Sequence, residues 1–150
     1  MVRLGIGLYG IGEPIDQDCL LPVSTLLTTI SQIRELPSGE SVGYSRKGKL
    51  NRPTRIATLP IGYADGFLRK LGNGHGKIRV HGFEAPTIGN ICMDMCMIDV
   101  TNIPTAKEGD QVVVFENAQD IRKMAQWLDT IPYEVLTGIS ERVKRIYFQE

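Results

Sequence analysis

The sequence predicts a mainly β fold: a small barrel of short strands, with one or two short helices near the C-terminus. Three observations carry that prediction. Short apolar and β-branched runs recur from Val2 to Phe115, glycine- and proline-containing turns separate them, and a helical period appears only after Asn117. A chain of 150 residues suffices for one domain with a real core. No repeat, low-complexity tract or linker divides it, so residues 1–150 read as a single domain.

In chain order, Val2 to Gly10 reads as a short glycine-rich strand. Gly5-Ile6-Gly7-Leu8-Tyr9-Gly10 matches G-x-G-x-x-G, but Gly10-Ile11-Gly12-Glu13-Pro14 cannot open the helix that a dinucleotide fingerprint requires. The glycines still let a phosphate or another backbone approach closely. Arg3 beside them is either a ligand-facing cation or a solvated charge at a strand start. Glu13 to Pro22 is loop. Ser24 to Leu36 combines a helical stripe (Leu26, Ile30, Ile33) with strand-favouring threonines and isoleucines, and reads as a strand. Pro37-Ser38-Gly39-Glu40 turns the chain, Ser41 to Arg46 is a second strand bearing Tyr44, and Lys47 to Pro53 is loop. Thr54 to Tyr63 alternates as a strand and ends at Ala64-Asp65-Gly66. The loop from Leu71 to Lys77 holds His75, and Ile78 to His81 with Ala85 to Ile88 form a hairpin around Gly82.

Gly89 to Val100 reads as the central strand. With period two, Ile91, Met93, Met95 and Met97 line one face, and Cys92, Cys96, Ile98 and Val100 the other. Both faces are apolar, as in a strand covered on both sides. Asp94 breaks the pattern, and a carboxylate among such neighbours needs a partner. It is either a satisfied structural residue or part of a site. After a turn at Lys107-Glu108-Gly109-Asp110 comes a strand from Gln111 to Phe115. Asn117 then caps a helix whose apolar face is Ile121, Met124, Ala125 and Leu128, with Asp120 suited to the positive end of the dipole. Trp127 reads as packing. Pro132 ends that helix, Tyr133 to Ile139 adds one or two helical turns, and Arg142 to Phe148 is a closing strand.

Charge excludes some partners. Lys plus Arg and Asp plus Glu number 17 each, so no electrostatic field points to nucleic acid or to an anionic membrane surface. No apolar run approaches a membrane span, and Met1-Val2-Arg3-Leu4 is no signal peptide. Three cysteines and two histidines, without clustered spacing, give no zinc site and suit reduced thiols in the cytoplasm. The clues to chemistry are Tyr44 and Tyr63, each next to a glycine near a turn. They are two ordinary barrel tyrosines, or phenols facing a cleft. A phenol with a pKa of about 10 is a poor base without a nearby cation or donor.

Ordered motifs sharpen this. Val2-Arg3-Leu4-Gly5-Ile6-Gly7-Leu8-Tyr9-Gly10, Gly39-Glu40-Ser41-Val42-Gly43-Tyr44, Pro60-Ile61-Gly62-Tyr63-Ala64-Asp65-Gly66 and Ile91-Cys92-Met93-Asp94 resemble the motifs of alanine racemase, in the family's order and at its approximate spacing. Ile131-Pro132-Tyr133-Glu134-Val135 and Ile139-Ser140-Glu141-Arg142-Val143 resemble the family's closing region. The resemblance implies the family's C-terminal β-barrel domain, with residues 1–10 similar to the last strand of its N-terminal (β/α)8 barrel.

That family uses pyridoxal phosphate to interconvert L- and D-alanine for cell-wall precursor synthesis, with one base on each face of the cofactor. By resemblance, Tyr44 is the base on the L-alanine side, acting on cofactor held by the other subunit of a homodimer. Arg3 pairs with the pyridine nitrogen, where a guanidinium that keeps its proton weakens the electron sink. Gly5 and Ile6 offer N–H groups and Tyr133 its hydroxyl to the cofactor phosphate. Met93 presents its N–H to the substrate carboxylate, and Tyr63 and Arg69 line the entrance. Two departures stand out. The family's cofactor-binding lysine motif is absent: none of the lysines from Lys47 to Lys144 sits in it, so the chain resembles part of a larger enzyme and is expected to be inactive alone. Asn90 stands where the family commonly has arginine. The alternatives are a non-catalytic β-barrel dimerisation module, or a domain of a related amino-acid racemase or decarboxylase. Gly62-Tyr63-Ala64-Asp65-Gly66 argues against a decarboxylase.

Overall fold

The computed structural model describes residues 1, 3–13, 15 and 17–148. Its strands are β1 (Leu26–Thr29), β2 (Gln32–Leu36), β3 (Ser41–Val42), β4 (Gly48–Lys49), β5 (Thr54–Leu59), β6 (Lys77–Val80), β7 (Phe83–Pro86), β8 (Cys96–Asp99) and β9 (Gln111–Phe115), followed by helices α1 (Ala118–Leu128) and α2 (Pro132–Thr137). All strand pairs are antiparallel. One sheet has the order β1-β9-β6-β7, a second β2-β5-β8, and β3 pairs with β4.

The two larger sheets meet along both flanks, which gives the barrel. On one flank the chain passes from β1 to β2 at Ile30-Ser31, where the Ile30 N–H donates to the Asp110 carbonyl and the Ser31 N–H to that of Thr58. On the other, Thr87 bridges to Ile98 and the Ile88 N–H donates to the Met97 carbonyl, tying the end of β7 to β8. The fold is thus mainly β and barrel-like. Leu59, Phe67, Leu71, Ile78, Ile91, Ile98 and Val112 fill its interior, and α1 covers the β9 end with Ile121, Met124, Ala125 and Leu128, all buried. Burial also pushes the Cys96 thiol up to about 12, and the neighbouring Cys92 adds to this. Asn117 caps α1 as expected, its side-chain oxygen accepting from the Asp120 N–H at 3.0 Å. Trp127 packs partly buried against the core.

Several expected strands are shorter or absent. Residues Gly5–Tyr9 form a 3-10 turn, not a strand, because Gly5 (φ 56°) and Gly10 (φ 72°) are left-handed; Val2 lies outside the described residues. The expected Ser24–Leu36 strand is two strands, since Ile30 and Ser31 exchange partners between sheets. The Ser41–Arg46 strand stops at Val42, and Tyr44 sits in a 3-10 turn in which Ser45 (φ 60°) and Arg46 (φ 50°) are left-handed. The Lys47–Pro53 loop contains β4, and β5 ends at Leu59 rather than Tyr63. Of the expected Gly89–Val100 strand only Cys96–Asp99 is strand. Gly89 (φ 70°) and a turn closed by Cys92 N–H on the Met95 carbonyl at 2.9 Å shape the rest. Cys96, Ile98 and Val100 keep the expected buried face, while Met93 and Met95 are exposed. Pro132 starts α2 instead of ending α1, which stops earlier at a left-handed Asp129. No strand spans Arg142–Phe148, where the Arg145 guanidinium folds back onto the carbonyls of Ile139, Ser140 and Val143.

Candidate functional site

Three turns converge on the stretch from Gly89 to Met95. The first carries Tyr44. Gly43 and Gly48 press against residues 89 and 90: a Cβ on Gly43 would lie 3.2 Å from the Asn90 nitrogen, and one on Gly48 2.8 Å from the Gly89 Cα. The Asn90 amide group donates to the Tyr44 carbonyl at 3.1 Å and accepts from Asn73 Nδ2 at 2.9 Å. The Tyr44 backbone is thereby held while its side chain reaches solvent, the residue being 67% exposed.

The second turn carries Tyr63. Its N–H donates to the Cys92 carbonyl and that of Ala64 to the Met93 carbonyl, both at 3.0 Å. Glycine at 62 allows this, since a Cβ there would meet the Cys92 and Met93 carbonyl oxygens at 2.4 Å. Among the described residues the Met93 N–H donates to no protein acceptor, and Met93 is exposed. The third turn is glycine-rich and follows Arg69, itself exposed; its Asn73 N–H donates to the Gly89 carbonyl at 2.8 Å.

Asp94, singled out for its need of a partner, finds one in Arg142: Nη2 lies 2.5 Å from Asp94 Oδ1, while Nε of the same guanidinium lies 2.6 Å from Asp65 Oδ1. Asp65 is buried and also accepts the Gly62 N–H at 2.8 Å. The hydrogen bonds to Asp65 and then Asp94 raise the Arg142 pKa above its ordinary value, outweighing desolvation. Asp94 is exposed rather than buried among apolar groups.

A separate cluster gathers Gly5, Ile6 and Tyr133. Tyr133, in the first turn of α2, puts its hydroxyl so near Gly5 that a Cβ there would lie 2.7 Å from it. Gly5 and Ile6 open the 3-10 turn, where N–H groups have no partner within the turn. Arg3 is exposed just before them. Among the described residues no hydrogen bond joins this cluster to Tyr44, Met93 or Tyr63. Asn73, Asp65 and Arg142 escaped identification as site residues from sequence. Only the need of Asp94 for a partner hinted at Arg142, which lies 48 residues further along. Among the described residues no group of acidic, histidine or cysteine side chains is arranged to hold a metal, and no helix is long and apolar enough to cross a membrane.

The alanine racemase C-terminal domain model matches residues 23–147. Alanine racemase 1 of Clostridium acetobutylicum is 44% identical over 98% of this chain and 40% of its own length. The crystal structure of the biosynthetic alanine racemase from Pseudomonas aeruginosa superposes with a TM-score of 0.88 at 33% identity, over 97% of this chain and 41% of that one. That of the alanine racemase from Bartonella henselae, with covalently bound pyridoxal phosphate, gives 0.88 at 35% identity, over 96% and 40%. The chain thus spans about two fifths of the length of the relatives it matches.

Proposed function

The chain belongs to the alanine racemase C-terminal domain family, and on that footing we propose that it is the C-terminal catalytic and dimer-forming domain of a cytoplasmic, pyridoxal-phosphate-dependent racemase. The enzyme interconverts L- and D-alanine, supplying D-alanine for cell-wall precursors. Residues 1–150 act as one unit, with residues 1–10 completing the neighbouring cofactor barrel and the site shared between two subunits. The observation that carries this reading is Tyr44: a phenol 67% exposed to solvent on a backbone pinned by Asn90 suits a base that works on a molecule held by another subunit.

The donor set beside Tyr133 fits a phosphate. The Gly5 and Ile6 N–H groups open the 3-10 turn without partners in it, and the Tyr133 hydroxyl lies where a side chain on Gly5 would collide. When bound, pyridoxal phosphate supplies the electron sink that makes the α-proton of alanine removable. Arg3 would pair with the pyridine nitrogen as a cation that keeps its proton. Tyr44 Oη takes or returns the α-proton on the L-alanine side, the Met93 N–H holds the substrate carboxylate, and Tyr63 and Arg69 line the way in. In the complete enzyme, Tyr44→Phe should lower α-proton exchange of L-alanine by about two to four orders of magnitude. Deuterium incorporation from heavy water measures it, and an unchanged exchange rate refutes the assignment.

A further inference from the structure

Arg142 reaches two turns that carry different parts of the site, and nothing in the catalytic assignment uses it. One nitrogen of its guanidinium holds Asp65 at 2.6 Å and another holds Asp94 at 2.5 Å. Each carboxylate sits beside a residue of the site. Asp65 belongs to the turn of Tyr63, where its other oxygen accepts the Gly62 N–H at 2.8 Å. Asp94 follows Met93 directly, in the turn that closes from Cys92 to Met95. The two turns otherwise meet only edge to edge, through the Tyr63 and Ala64 N–H groups on the Cys92 and Met93 carbonyls at 3.0 Å. The first of those bonds orients the planar Cys92–Met93 peptide, whose N–H points opposite to its carbonyl. The Arg142–Asp94 contact anchors the residue that follows Met93 and so holds this turn against that of Tyr63.

We propose that Arg142 is a positioning residue: by bridging Asp65 to Asp94 it aims the Met93 N–H at the substrate carboxylate and sets carboxylate affinity. This rests on the racemase reading, in which Met93 meets that carboxylate. Planarity is what suits arginine to the task, since two nitrogens of one rigid fork serve two carboxylates at once. A lysine ammonium keeps the charge and loses the fork. Ser140 helps place the guanidinium, its N–H donating to the Asp65 carbonyl at 3.2 Å.

The test uses the complete enzyme loaded with cofactor, as wild type, Arg142→Lys and Asp94→Asn. The second variant alters only an exposed carboxylate, so it retains the buried Asp65 pair if Arg142→Lys folds poorly. Propionate, an alanine without its amino group, is the probe, with its Kd read by calorimetry. Amide hydrogen exchange at Tyr63 and Ala64 is read in parallel. Both variants should weaken propionate about tenfold and raise KM for L-alanine by a similar factor, the loss of one charge-assisted hydrogen bond, with kcat changed less than about threefold. Exchange at Ala64 should quicken while the β5 and β8 amides keep their protection. Faster exchange with unchanged propionate affinity would make the bridge merely structural and overturn the proposal. So would a fall in kcat at constant KM, or a wild-type enzyme that binds no propionate. Absence of racemisation by the wild type would instead overturn the functional reading, and the propionate and exchange measurements would still decide the role of Arg142.

Discussion

Asn90 shows what one substitution does to a site. Its side chain spans Asn73 and the Tyr44 carbonyl at 2.9 and 3.1 Å, so it acts as a brace on backbone. Arginine could still donate to that carbonyl, but it has no acceptor for Asn73. Asn90→Ala removes both bonds and frees the Tyr44 turn, whose left-handed Ser45 and Arg46 are held by their surroundings. L-alanine turnover in the complete enzyme should fall about tenfold, while stability changes by about 1 kcal/mol, as for one or two exposed neutral hydrogen bonds. Steady-state kinetics and thermal melts check both, and unaltered turnover would leave Asn90 a strand cap with no part in catalysis. Single residues were legible when their chemistry is demanding. Asp94 was marked as a carboxylate in an apolar run, though it proves exposed, and Tyr44 and Tyr63 were marked as candidates by their flanking glycines. Arg142 and Asn73 were not, because pairings at 48 and 17 residues' separation leave no local pattern.

Elements were legible where the hydrophobic period is local and unbroken. The stripe Ile121, Met124, Ala125 and Leu128 gave α1, and the Asn117 cap gave its start. β9 and the hairpin of β6 and β7 followed from alternation around a glycine. Most of the missed strands fail where a glycine, a turn or a change of partner interrupts a run of strand-favouring residues, which composition does not register. A second tie of α1 was also invisible. Arg79 on β6 grips Asp120 with two bonds at 2.6 and 2.7 Å and reaches Glu116 at 2.8 Å. Burial opposes ionisation of Asp120, but the Arg79 hydrogen bonds, the Glu116 N–H and the charges of Arg79 and Lys123 outweigh it and lower its pKa. A carboxylate depressed in the folded state stabilises above its unfolded pKa of about 3.9, and that contribution is lost as pH falls through the lower folded value. Asp120→Asn should therefore cost about 1–2 kcal/mol at pH 7, allowing for partial solvent screening. The deficit should shrink below about pH 4 as the wild type loses the same contribution. Urea melts across that range measure it, and a deficit independent of pH would assign the loss to packing.

At the scale of the molecule, the barrel-like arrangement depends on two short links between sheets that no single strand reveals, at Ile30-Ser31 and at Thr87–Ile98. The same arrangement leaves apolar side chains outside it. Leu4, Leu8 and Tyr9 near one end of the chain, and Ile146, Tyr147 and Phe148 near the other, are all exposed, although groups of this kind are usually covered. Leu4, Leu8 and Tyr9 lie in and beside the turn of Gly5 and Ile6, the part of the chain that resembles the last strand of the cofactor barrel. On the proposed reading, folding of the β core alone does not complete the site. The 150-residue chain mixed with pyridoxal phosphate should show no alanine racemisation, and borohydride added after gel filtration should fix no cofactor stoichiometrically to a single lysine. On the proposed reading, a phosphate site with no lysine placed beside it gives at most reversible binding, which gel filtration removes. Turnover together with a borohydride-stable adduct on one lysine would show that this chain carries its own attachment site, and would overturn the division of labour between two domains.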